Sequence, residues 1–241
     1  MEEIIEKLGS MPTISMRYGK EDGIYLLWQN ICQIDDEKAR NAEVDKLVSR
    51  MIEHKDKNGF FAPDDVIMVN EFFHQQIQLD DMEIYHDFFS VLHENSKTDK
   101  SMSPNFYSHA IITTLSNYFG KMTGDEVKRR SLSCITFDKN DEPILPSIKD
   151  LKGQDCAACA EYASLSHNLW LLAGLESYFV NNLNIEHAFN IVCNSKNIYL
   201  LFDIAQHRIK PLEGNPIEKI KKQEELVIDG FTYSKKVNIT H

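Results

Sequence analysis

Residues 153–163 read Gly153-Gln154-Asp155-Cys156-Ala157-Ala158-Cys159-Ala160-Glu161-Tyr162-Ala163, and His187-Ala188-Phe189-Asn190 and Leu201-Phe202-Asp203 follow downstream. From Ala157 the pattern is one helix and then three strands. Ala160, Ala163, Leu169, Leu172 and Ala173 supply the buried face of a helix that Gly174 ends. Residues 177–181, 188–193 and 198–203 carry the aliphatic and aromatic side chains of strands. Asn194-Ser195-Lys196-Asn197 joins the last two as a hairpin. A cysteine therefore stands where a helix begins, a histidine opens one strand, and an aspartate closes the next. Those are the parts of a thiol nucleophile, its base and the base's orienter.

The hairpin register tests that combination. His187 and Asp203 are centred on Ser195. Direct pairing of the two therefore needs an odd-length loop, such as a three-residue turn with a bulge. A plain two-residue hairpin would put them one position out of step, on opposite sides of the sheet.

A cysteine is mostly protonated at neutral pH. A helix N-terminus and a nearby imidazole both favour its thiolate. Cys159 has both in prospect, with His187 as the base and Asp203 holding the ring in the useful tautomer. Gln154 could donate to an oxyanion together with the Cys159 backbone N–H. The competing reading is an inert buried thiol and a strand histidine packed against tyrosines.

Cys159-Ala160-Glu161-Tyr162-Ala163, the helix end at Leu172-Ala173-Gly174-Leu175, His187-Ala188-Phe189-Asn190 and Leu201-Phe202-Asp203 together resemble the transglutaminase-like superfamily of papain-fold thiol enzymes. The resemblance implies Cys159 as nucleophile, His187 as base and Asp203 as orienter. It covers about residues 150–206. Phe189 stands where that family usually has tryptophan, and Ile204-Ala205 follows the aspartate in place of proline-threonine. The first departure changes the pocket wall and leaves the chemistry intact.

Cys156-Ala157-Ala158-Cys159 is also a CxxC, the spacing of a dithiol redox pair or half a zinc site. No thioredoxin-like βαβ run surrounds it, and no second close Cys or His pair follows. Cys156 would lie near the site and could modulate it by disulfide formation. Glu161 reads as a helix-start acid, His167 as structural, and His207 as a neighbour that lacks an acid orienter. Residues 54–65 have the glycine and some oxygens of a calcium loop. Histidine holds the first ligand position and aspartate the last, so a connection between helices is the better reading.

The first half reads as helices. A short one covers residues 4–8, another 24–31, and a third 35–54 with a stripe of Ala42, Val44, Leu47, Val48, Met51 and Ile52. Pro63-Asp64-Asp65 opens a helix to about Gln78, and Asp80-Asp81 caps one to about Glu94. A polar linker follows from Glu94 to Met102. Ser103-Pro104 then starts a helix that Gly120 ends. Residues 124–131 form a shorter helix and 134–137 a strand, and Ser147 with Asp150 resembles a capping box. Phe60-Phe61, Phe72-Phe73 and Phe88-Phe89 read as helix-packing core.

The chain has 241 residues and a net charge of −11, which argues against a nucleic-acid surface. Its one basic cluster, Lys128-Arg129-Arg130, reads as a solvated helix end. The longest apolar stretches, such as residues 169–173, fall far short of the roughly 20 residues of a membrane-spanning helix. The acidic N-terminus is not a secretory signal. Five cysteines do not make a disulfide framework, so a reducing cytoplasm fits; export by a route independent of a signal peptide would leave the same composition.

The expectation is an α+β protein. A mainly helical region, 1–146, recognises substrate or partner, and a papain- or transglutaminase-like core, 147–241, packs the catalytic helix on a small antiparallel sheet. One continuous domain is the other arrangement. Cys159 would form a thioester with a protein or peptide amide. Resolution by water makes the chain a cysteine peptidase or glutamine deamidase; resolution by an amine makes it a crosslinking transglutaminase. A catalytically inactive binding module of the same fold is the other class. No cofactor, metal, nucleic acid or membrane partner is expected.

Overall fold

The computed structural model describes residues 30–63, 79–98, 104–120, 136–137, 139–140, 143–144, 147–155, 157–182, 187–193, 199–222, 226–228, 231–233 and 237–240. The helices read at 4–8, 64–78 and 124–131, most of the 24–31 helix, the basic cluster, Phe72-Phe73, Cys156 and the 194–197 turn lie outside the described residues.

The fold is α+β, with N-terminal helices preceding an antiparallel sheet. Helix α1, Glu37–Glu53, begins at Asp36, whose carboxylate accepts the Ala39 N–H at 2.7 Å. Val44, Leu47, Val48 and Met51 form its buried stripe, whereas Ala42 lies on the exposed face. A short helix α2, Lys55–Asn58, stops at Gly59, after which Phe60, Phe61 and Ala62 turn into the interior. Helices α3, Glu83–Thr98, and α4, Pro104–Phe119, pack on each other. Asp81 starts α3 by accepting the Glu83 N–H at 2.9 Å.

Helix α3 runs past Glu94 into the stretch read as linker. Its polar last turn satisfies itself: Ser96 donates to the His93 carbonyl, Thr98 to the Asn95 carbonyl, and Lys97 pairs with Glu94. That turn is solvated, so its sequence carries no apolar signal.

A 3-10 turn, Ile148–Leu151, opens on the Ser147–Asp150 capping box. Helix α5, Cys159–Leu172, follows, and every residue from Ala160 to Leu172 is buried. Helices buried all round lie in the centre of a core. On one side of α5 stand the helices. On the other is a sheet of β3 (Glu176–Asn182), β4 (His187–Cys193), β5 (Tyr199–Asp203), β6 (Arg208–Leu212) and β9 (Val237–Thr240), in the order β6-β5-β4-β3-β9. Phe179, Ala188, Val192, Leu200 and Phe202 join the α5 side of the core. Tyr178, Phe189, Ile191 and Leu201 face the opposite way, onto Ile217 and Ile220 of helix α6, Pro216–Lys221. Small hairpins β1/β2 (Thr136–Phe137, Pro143–Ile144) and β7/β8 (Leu226–Ile228, Phe231–Tyr233) complete the described elements.

The three expected strands are joined by β6 and β9. Pro211 argues against a strand by pattern, yet β6 is an edge strand, where proline removes no ladder bond. The expected register also needs correction. Asn190 pairs with Phe202 and Cys193 with Tyr199, so the hairpin is centred on Lys196 and residues 194–198 connect it. His187 does not lie directly opposite Asp203. The loop is still odd in length, so the two keep the same face and meet diagonally.

One buried amide ties the helices to this core. Asn168 accepts the Phe61 N–H at 2.9 Å and donates to the Phe61 carbonyl and the Tyr85 hydroxyl, each at 2.9 Å. His167 meets the Gly59 carbonyl at 2.8 Å, which makes it structural. A single apolar cluster accordingly runs from Ile31 to Ile209, across residue 146. Asn168→Ala strands both backbone groups of Phe61, at about 1–3 kcal/mol each. Urea denaturation is expected to show a loss of about 3 kcal/mol; a loss under about 1 kcal/mol would mean the latch is not required.

Candidate active site

Cys159 is the first residue of α5. Its N-cap, Ala158, has no side-chain acceptor, and Glu161 reaches back to the Ala158 N–H at 2.9 Å. Burial pushes the Glu161 carboxyl up, against the lowering effect of its backbone hydrogen bonds. It is thus the helix-start acid expected.

The lead-in to Cys159 is fastened to the end of α4. Gly153 N–H donates to the Tyr118 carbonyl at 2.8 Å and Asp155 N–H to the Phe119 carbonyl at 3.0 Å. These are carbonyls that a helix C-terminus leaves without intrahelical partners. Gly120 ends α4 at φ 86, and a Cβ there would sit 2.1 Å from Asp155 Oδ1. The positive φ is what favours glycine here, since the Asp155 backbone stays at ordinary contact distance, 3.7 Å. Lys152 adds an ion pair to Glu83 at 2.6 Å and lies over the Tyr118 ring at 5.3 Å. Nothing in the linear sequence pairs α4 with this loop.

His187 opens β4 beside Asn182 of β3. Its Nε2 meets Asp203 Oδ2 at 2.7 Å, and the other oxygen, Oδ1, accepts the Gln206 N–H at 3.2 Å. Asp203 is 1% exposed and His187 7%. Phe189 stacks beside the imidazole, with centroids 6.2 Å apart and planes at 20°. Cys159 lies close enough to the same ring to push its pKa up. With Nε2 taken by Asp203, Nδ1 is the nitrogen left for sulfur. Burial alone would lower the His187 pKa, but the hydrogen bonds from Asp203 and Cys159, with their charges, outweigh it and push it up to about 10.

Cys159, His187 and Asp203 are therefore brought together, at the end of the sheet that the N-terminus of α5 overhangs. Cys159 is only partly buried. Gln154 lies in the exposed bend before it, its own N–H donating to the Leu151 carbonyl at 3.2 Å. His207 is apart from the three, exposed in the turn after β5 with its N–H on the Ile204 carbonyl. Gln206, which holds the second Asp203 oxygen through its backbone, has no side-chain signature. Among the described residues no group of three or more His, Cys, Asp or Glu is placed to hold a metal ion, and no helix is long and apolar enough to cross a membrane.

The raised His187 pKa has a consequence for stability. A histidine whose folded pKa exceeds its unfolded value of about 6.5 stabilises the fold fully below that value. The contribution is lost as pH rises through about 10. Thermal unfolding across this window should show the wild-type midpoint falling more steeply than that of His187→Gln. Parallel curves would mean that the ring does not hold its proton.

Comparison of the chain with models of protein families, with curated proteins and with solved structures finds no match.

Proposed function

We propose that the chain is a thiol-dependent amide hydrolase or acyl transferase of the transglutaminase-like kind, acting on protein or peptide amides. The observation that carries this reading is an imidazole held between a buried carboxylate and a partly buried cysteine at a helix N-terminus.

In the resting pair the proton already sits on His187, and the Cys159 thiolate beside that imidazolium attacks the amide carbon. The C–S bond forms and the carbonyl electron pair moves to oxygen. The Cys159 N–H and Gln154 are the donors we assign to that oxyanion. The imidazolium returns its proton to the amide nitrogen as the C–N bond breaks, leaving a thioester and a free amine or ammonia. His187 then takes a proton from water, whose oxygen attacks the thioester, and the C–S bond breaks to regenerate the thiolate beside the imidazolium. Asp203 keeps its charge throughout and orients the ring.

Water as acceptor gives peptidase or glutamine deamidase activity; an amine entering at the second step gives transglutamination. Intact-mass spectrometry of candidate protein substrates separates these. A gain of about one dalton is deamidation, fragments are proteolysis and an adduct is transfer. Substrates unchanged by wild-type protein that labels no faster than a free cysteine would instead make the chain a binding module.

A further inference from the structure

We propose that Asn190 is a positioning residue: its amide, bonded to the Ala163 carbonyl, fixes the helix carrying Cys159 against the strand carrying His187. The inference rests on the reading of Cys159 and His187 as a working pair. Asn190 Nδ2 donates to Ala163 O at 2.9 Å, and Asn190 is 1% exposed. Ala163 is one turn beyond Cys159, about 6 Å along the helix. Asn190 is three residues beyond His187, about 10 Å along the strand. The strut thus crosses the helix–sheet interface just behind the thiol and ring.

Stability alone does not account for an asparagine here. Its neighbours across the sheet are Phe179 and Phe202, an apolar setting. Its Oδ1 is buried without a hydrogen-bond partner among the described residues, which is unfavourable. The Ala163 carbonyl sits inside the α5 ladder and needs no second donor to keep the helix intact. A leucine of similar size would fill the space without an unpaired oxygen. What the amide adds is a directional bond that sets how the helix sits along the strand, and so the thiol–imidazole contact.

The test is an NMR titration of the His187 ring in wild type, Cys159→Ala and Asn190→Leu, with Asn190→Ala measured in parallel in case the leucine does not fold. Among the described residues the charged or titratable groups facing the ring are Asp203 and Cys159, so Cys159→Ala defines the titration of a ring that has lost its thiol. Asn190→Leu is expected to melt at or above the wild-type temperature while its His187 titration moves down onto that of Cys159→Ala. Amide turnover should fall about 100-fold in kcat with KM little changed. A His187 titration that stays on the wild-type curve in both Asn190 variants would overturn the proposal. The titrations need no substrate. Wild-type protein that hydrolyses no amide would therefore refute the proposed function separately, without deciding the role of Asn190.

Discussion

Cys159→Ala is expected to cut amide turnover on the order of 10⁴–10⁶-fold, leaving only what binding and oxyanion donors supply without a nucleophile. The loss should fall on kcat, because the sulfur contributes bonding in the transition state and little to ground-state binding. The fold should survive: Cys159 is partly exposed and stands at the first position of α5, where alanine is a good helix residue. Turnover and circular dichroism on the same preparation check both halves. A variant that keeps more than a tenth of wild-type turnover would place the nucleophile elsewhere.

Asp203→Asn is expected to lower kcat by about a thousandfold. Asparagine keeps the shape and can still accept the Gln206 N–H, so the turn after β5 is preserved. The charge that holds the ring protonated is gone. The alkaline limb of the kcat profile, set by His187 at about 10 in the wild type, should then move toward neutral pH. The sign follows from the direction of the shift: removing an anion that favours imidazolium lowers the pH at which the ring loses its proton. An unmoved limb would mean that Asp203 is a structural partner of His187 only.

The carboxyl-terminal half is more legible in the sequence than the amino-terminal half, for physical reasons. Buried strands such as β4 and β5 are rich in aliphatic and aromatic residues, and Gly174 follows the end of α5, so their order reads directly. Parity then fixes which residues share a face, even though the hairpin centre is displaced from Ser195 to Lys196. Edge strands lose that signal. In β6, Arg208, Lys210 and Pro211 mask an alternation whose one buried residue is Ile209. Helix α6 did carry one: Asn215 caps it, Pro216 occupies its first position, and Ile217 and Ile220 are buried. The site's supports were not legible because they are backbone contacts or distant pairs. The carbonyls of Tyr118 and Phe119 gripping Gly153 and Asp155, and the Gln206 N–H on Asp203, depend on tertiary approach. Asn190 is visible as a letter beside His187, but its bond to Ala163 spans 27 positions.

The most direct test of the thiol–imidazole pair is the rate at which iodoacetamide alkylates Cys159 near neutral pH, read by peptide mass spectrometry in wild type and His187→Ala. The account predicts labelling selective for Cys159, well above the rate of a free cysteine, and lost when the ring is removed. Labelling at the free-cysteine rate, or equal rates in the two proteins, would contradict it.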